Sequence, residues 1–219
     1  MIWIHKGKEP SSLTLYRCQP NSYYDGYSQK DELREALLRD QGHLCAYCMR
    51  RIRNDRNTMK IEHWKAQSTL ETEAEKLNYQ IMLGVCDGCR GSKDLYTTCD
   101  EHRHDMDLHV NPLDRSMMDT IFYDRNGKIK SDVEQYDDEL NTVLNLNCEQ
   151  ASSRIVQNRK KVYQECMKRL KRLQNDGKWK KSTLLKILQQ YERLEDGKKQ
   201  EYVGVPIYLI QKYLKKCQQ

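Results

Sequence analysis

A chain of 219 residues, 37% hydrophobic and 32% charged, is long enough to bury a core. It has no apolar run near the roughly 18–20 residues that a bilayer-crossing helix needs, which excludes a helical membrane span. Its formal charge of +6 is uneven: residues 151–219 carry 18 Lys/Arg against 6 Asp/Glu, and residues 1–150 carry 20 against 26. The basic part suits either phosphate contact or a solvated helical surface.

The opening Met1–Lys8 lacks the apolar stretch and small-residue cleavage site of a signal peptide, so the expected location is cytoplasmic. Nine cysteines in such a chain point to thiols or metal ligands before disulfides. Residues 1–28, with Pro10, Pro20 and tyrosines at 23, 24 and 27, read as an extended N-terminal arm. Ser28 then precedes Asp31-Glu32, the acidic first turn of a helix with apolar Leu33, Ala36, Leu37 and Leu38, which Gly42 ends. Cys45-Ala-Tyr-Cys48 is a knuckle. Arg50–Arg53 and Met59–Trp64, flanking a polar turn at Asn54–Asn57, predict a short hairpin with Glu62-His63 at the end of its second strand.

Residues 65–76 read as a polar loop or helix, and Leu77–Val85 as an apolar segment leading to Cys86. Gly88, Gly91, Ser92 and Lys93 mark an irregular loop before Cys99, and Asp100–Asp107 predicts a short helix ended by Asn111-Pro112. Arg125-Asn126-Gly127, between Ile121–Asp124 and Lys128–Lys130, is a β-hairpin signal because Asn-Gly tolerates positive φ. Beyond Asp132 the pattern is helical. Apolar faces run through Val133, Tyr136, Leu140, Val143 and Leu144, then Ile155, Val162, Cys166, Leu170 and Leu173. Two more follow: Leu184, Ile187, Leu188, Tyr191 and Leu194, then Val205 to Leu214. Residues 116–219 thus form a β-hairpin plus a basic helical region.

The chemistry collects between residues 45 and 99. Two separated groups of cysteines can converge on one tetrahedral zinc. By spacing, Cys86-Asp-Gly-Cys89 is a better second knuckle than Cys86 with Cys99. Between the groups lie Glu62-His63 and Asn78. Hydrolysis of a phosphodiester needs a nucleophilic water, charge to offset the developing phosphorane and help for the leaving oxygen. His63 is the candidate general base, its imidazole largely neutral at neutral pH. Glu62 is a hard oxygen ligand suited to Mg²⁺ or Mn²⁺. Asp100 and His104, spaced i, i+4, would share a helix face and offer a further ligand, as would His102. Asn78 would hydrogen-bond the loop bearing His63 and fix the ring's direction.

With these residues assembled, the chain resembles the HNH endonucleases, and within them the subfamily found beside an ATPase in Septu-type and retron anti-phage systems. The matching text is Asp31-Glu-Leu-Arg, Cys45-Ala-Tyr-Cys-Met-Arg-Arg-Ile, Ile61-Glu-His-Trp, Leu77-Asn-Tyr, Leu83-Gly-Val-Cys86, Thr98-Cys-Asp-Glu-His-Arg and Asn111-Pro-Leu. It spans about residues 1–147. The resemblance implies an α+β, mostly helical fold: a zinc-stabilised ββα-metal core over residues 29–115 with a basic C-terminal helical extension. It implies His63 as general base, Asn78 as the middle letter of the motif, Glu62 and Asp100 on the catalytic ion, and structural zinc on Cys45, Cys48, Cys86 and Cys99. Asp100 stands where many members carry a metal-binding His.

The function expected from this resemblance is metal-dependent cleavage of nucleic acid, DNA before RNA or tRNA, in an ATPase-coupled defence complex. A retron reverse transcriptase and its noncoding RNA could join the assembly. The competing class is a zinc-knuckle module that binds nucleic acid or a partner without cutting. No G-x-x-x-x-G-K-S/T occurs, so nucleotide control would come from an ATPase in trans. No membrane partner is expected.

Overall fold

The computed structural model describes residues 1–174 and 177–217. The fold is α+β and mostly helical, with two separate two-stranded antiparallel sheets. In order, the chain forms α1 (Ser11–Arg17), α2 (Lys30–Gln41), β1 (Met59–His63), α3 (Glu73–Lys76), β2 (Met82–Cys86) and α4 (Asp100–Arg103). There follow α5 (Arg115–Met118), β3 (Ile121–Tyr123), β4 (Ile129–Ser131), α6 (Glu134–Asp138), α7 (Ile155–Arg172), α8 (Lys181–Glu192) and α9 (Gly204–Lys216).

The first sheet corrects the expected hairpin. β1 pairs with β2, in register from Met59 opposite Cys86 to His63 opposite Met82, and not with Arg50–Arg53. The backbone of that earlier segment is spent closing the knuckle: Arg50 O accepts from Cys45 N at 2.8 Å, and Ile52 N donates to His43 O at 3.0 Å. β2 is buried along its whole length. The buried amide of Gln41, the last residue of α2, pairs with it as a strand would, donating to Gly84 O and accepting from Gly84 N, both at 2.7 Å. This satisfies polar backbone that water cannot reach and fixes α2 against the sheet. At the C-cap of α2, Gly42 is left-handed (φ 59°) and donates to the carbonyls of Leu38 and Arg39, the expected helix stop. The expected Ser28 cap is not formed; Gln29 takes that position without a side-chain bond.

Residues 1–28 are not an extended surface arm. They contain α1, and Met1, Ile4, Leu13 and Tyr27 are buried in the main core because their apolar surface gains more there than in water. That core is continuous and draws on residues from Met1 to Ile210.

β3 and β4 form the hairpin signalled by Asn126-Gly127. Gly127 has φ +84°, and a Cβ there would stand 2.3 Å from Val156 O, so only glycine lets the turn press against α7. Arg159 of α7 is fully buried and donates from Nε to Gly127 O at 2.8 Å and from a terminal nitrogen to Leu146 O at 2.5 Å. α6 runs on through a π-turn at Glu139–Val143. The predicted C-terminal faces bury Leu140 and Leu144, then Ile155, Cys166 and Leu170, then Leu184 and Ile187, then Val205, Leu209 and Ile210. Leu173 and Leu194 are exposed, since each lies just past the end of its helix; Val133, just before α6, is exposed too. No described helix is long and apolar enough to cross a membrane.

Candidate metal centre and acidic cleft

The four sulfurs of Cys45, Cys48, Cys86 and Cys99 lie within 4.8 Å of one another, all four residues buried. Cys45–Cys99 is 3.9 Å, Cys48–Cys86 is 3.8 Å and Cys86–Cys99 is 3.7 Å. A disulfide would need about 2.05 Å. A tetrahedral zinc with bonds of about 2.3 Å gives sulfur–sulfur edges of about 3.8 Å, so the tetrad has the dimensions of a four-thiolate zinc site. The thiols also resist shared ionisation. Hydrogen bonding with Cys45 is the foremost cause that holds Cys48 and Cys99 well above the usual thiol range. Burial opposes ionisation of Cys45, but hydrogen bonds from the other three bring it below that range. Among the described residues this is the one group of three or more metal-binding side chains.

The loop after β2 explains why Cys99 and not Cys89 completes the set. Gly88 is left-handed (φ 60°) with its carbonyl accepting from Thr98 N at 2.9 Å, and a Cβ there would meet Thr98 O at 2.2 Å. The chain doubles back at that contact. Cys99, itself at φ 57°, donates its N–H to Leu144 O at 2.8 Å and points its sulfur at the tetrad. Cys89 packs instead with Cys148, Ala151 and Tyr96.

Cys86 ends β2 and Cys99 immediately precedes α4, so the tetrad sets α4 against β1. This brings Asp100, the first residue of α4, into the same cleft as Glu62 of β1. Tyr47, inside the first knuckle, reaches Glu62 Oε1 at 3.5 Å. Lys60 bridges Asp100 (2.9 Å) and Glu101 (2.7 Å). Arg103, 1% exposed, ion-pairs with Glu62. Its remaining donors hold the carbonyls of His63 (2.9 Å), Trp64 (2.8 Å) and Met106 (2.7 Å) and the Tyr47 hydroxyl (3.2 Å). Burial, and next the neighbouring Asp100, push the Glu62 carboxyl up to about 9 despite the opposing Arg103 charge. Glu62, His63, Asp100, Arg103, His104 and Asp105 are among the residues that line a cleft of about 170 Å³.

His63 ends β1 beside Glu62 and lines the same cleft. It is 4% exposed and packs edge-on against Tyr24 at 4.7 Å. Its Nε2 stands 2.7 Å from Lys76 O. A carbonyl only accepts, so Nε2 carries the proton and Nδ1 keeps its lone pair, with no protein hydrogen bond among the described residues. Burial lowers the imidazole below its ordinary value, which keeps it neutral.

Asn78 departs from its expected role. Its Oδ1 accepts from Gln80 N at 3.0 Å and caps the turn Tyr79–Ile81, so the carbonyl of Lys76 orients His63 instead. The i, i+4 pairing of Asp100 with His104 is not formed. Arg103 captures the Met106 carbonyl, α4 stops at Arg103, and His104 turns to φ 53° with Nε2 3.2 Å from Asp94. His102 is held by Thr97 and the Asp94 carbonyl, each at 3.1 Å, away from the cleft. Sequence reasoning missed Arg103 in the cleft, and Lys60 and Tyr47 as partners of its carboxylates. The available signals were the Tyr inside the knuckle and a basic residue four after Cys99.

No protein-family model matches the chain, and no curated protein matches it in sequence.

Two outcomes are expected. Purified protein binds one zinc per chain by elemental analysis; Cys99→Ser loses it and lowers the melting midpoint by about 10 °C or more, whereas Cys89→Ser retains both. Loss of zinc from Cys89→Ser with retention in Cys99→Ser would reverse the assignment. The second concerns pH. Because folding raises the Glu62 pKa from 4.5 to about 9, its contribution is complete below about pH 4.5 and is lost as pH rises toward 9. Without added divalent ions, wild-type stability should therefore fall more steeply across that window than Glu62→Gln stability in matched urea titrations. Parallel curves would contradict the buried-carboxyl account.

Proposed function

We propose that the chain is a metal-dependent nuclease of the HNH type, with zinc on the cysteine tetrad, that hydrolyses phosphodiester bonds in nucleic acid. DNA is the first substrate class and RNA the second. The observation that carries this reading is the meeting of Glu62 and Asp100 in one cleft directly beside the tetrad, with His63 next in the strand. The order β1, β2, α4, clamped through Cys86 and Cys99, supports a ββα-metal core.

Glu62 and Asp100 would hold Mg²⁺ or Mn²⁺, whose charge would displace the proton that burial favours on Glu62. A hard ion of this kind accepts one or two carboxylates and keeps its other positions for water and phosphate. Such an ion, when bound, offsets the negative charge that develops on the phosphorane. The protein's own parts divide the remaining work. Lys76 O holds the Nε2–H tautomer of His63, and Nδ1 is the acceptor for a proton from water. Burial keeps the ring unprotonated. His63 lines the same cleft as Glu62 and Asp100, so the two carboxylates would hold charge there and the imidazole would move the proton.

Control by an ATPase in trans, in an anti-phage assembly, completes the proposal. One observation favours the binding-module alternative: Lys60 and Arg103 already pair with the carboxylates, and an ion-pair clamp needs no metal.

A cleavage assay separates the two. The chain, alone and with its ATPase, is incubated with plasmid DNA and with total RNA in Mg²⁺ or Mn²⁺. The expected result is cutting that Glu62→Ala and Asp100→Ala abolish and His63→Ala slows by about 100-fold or more. Undiminished cutting by His63→Ala would remove the histidine from the chemistry, and no cutting by wild type in any arm would leave the binding module.

A further inference from the structure

α7 carries a basic face with no use in the cleft just described. Lys160, Gln164 and Lys168 follow one another at i+4, with Tyr163, Met167 and Lys171 on the adjoining row, so all six share one side of the helix. Together with Arg172 and with Arg125 from the β3–β4 turn, they line a groove of about 670 Å³.

Three observations give this groove a partner. Its five cationic residues, Arg125, Lys160, Lys168, Lys171 and Arg172, are all exposed, and none pairs with an acid among the described residues. Among the described residues, no acidic side chain lines the groove. The one acid of α7, Glu165, lines a different groove, and Asp124 of the turn is engaged as a cap by the N–H groups of Asn126 and Lys128. The groove is also rigidly built. Gly127 seats the turn directly on the backbone of Val156 and Lys160, and the buried Arg159 holds the Gly127 carbonyl, so the turn that carries Arg125 is held beside the helix.

We propose that this groove binds the phosphate backbone of a nucleic-acid strand. A concave basic channel without acids concentrates polyanions, and the half-buried Tyr163 and Met167 give it a floor for sugar and the alkyl stems of the lysines. From Lys160 to Arg172 is about 18 Å along the helix, which spans about five nucleotides at about 3.4 Å of duplex axis each. No base-reading contact is needed. This binding goes beyond the cleavage reading and would survive its failure.

The test measures binding of fluorescent duplex DNA, single-stranded DNA and RNA of one sequence to the full chain, without divalent ions so that cleavage plays no part. Lys160→Glu/Lys168→Glu in the groove is compared with Lys181→Glu/Lys186→Glu on α8, which changes net charge equally; circular dichroism checks folding of both. The groove variant should lose about tenfold or more in affinity for at least one nucleic acid and lower the salt slope by about two, with the α8 variant near wild type. The arm that loses most names the strand type. Equal loss in both variants would mean bulk charge attraction, and no loss in either would mean binding elsewhere; both overturn the proposal. So would a wild type that binds no nucleic acid, or groove reversal that releases only a protein partner such as the ATPase.

Discussion

Four sulfurs held within 4.8 Å of one another decide the local architecture of this protein. They join the first knuckle, the end of β2 and the start of α4, none of which has the length to be stable alone. A two-stranded sheet is marginal in water, and a four-residue helix is shorter than any that forms by itself. Zinc on the tetrad would replace the missing cooperativity with a covalent-like clamp. Its position also sets the chemistry next to it: Asp100 is one residue past a ligand, and Tyr47 sits between two ligands and touches Glu62.

Around this clamp the fold uses buried guanidinium groups to fasten irregular backbone. Arg103 gathers three carbonyls and a carboxylate at the strand end, and Arg159 ties α7 to the second hairpin. A buried carboxylate does a related task at Glu139, accepting from the backbone N–H of His109 (2.9 Å) and of Val110 (2.8 Å). Arg103 and Glu139 bury charge with most of their donors or acceptors matched, whereas Arg159 leaves one terminal nitrogen without a partner. The result is a cleft shared by Glu62 and Asp100, in which burial and the neighbouring Asp100 raise the Glu62 carboxyl.

Legibility in the sequence followed the range of the interaction. Helical periodicity in the C-terminal third and the Asn-Gly hairpin were readable because both are local. Leu173 and Leu194 were misplaced only because helix ends are set by contacts beyond the pattern. The partner of β1 was misread because pairing with β2 depends on Gln41 and on the closed knuckle, neither visible as a strand signal. Spacing alone preferred Cys89 over Cys99; the turn at Gly88 that reverses the preference is a backbone event. Arg103 and Arg159 went unremarked because charged residues are read as surface by default. The convergence of Glu62 with Asp100 was expected from the resemblance, whereas the burial of His63 and the local role of Asn78 were not.

The central claim is that thiolates alone close the metal site and thereby place the carboxylates. Zinc K-edge X-ray absorption on the purified chain tests it most directly. The account requires a first shell of four sulfurs at about 2.3 Å. Nitrogen or oxygen in that shell, or a folded protein that binds no zinc at all, would contradict it.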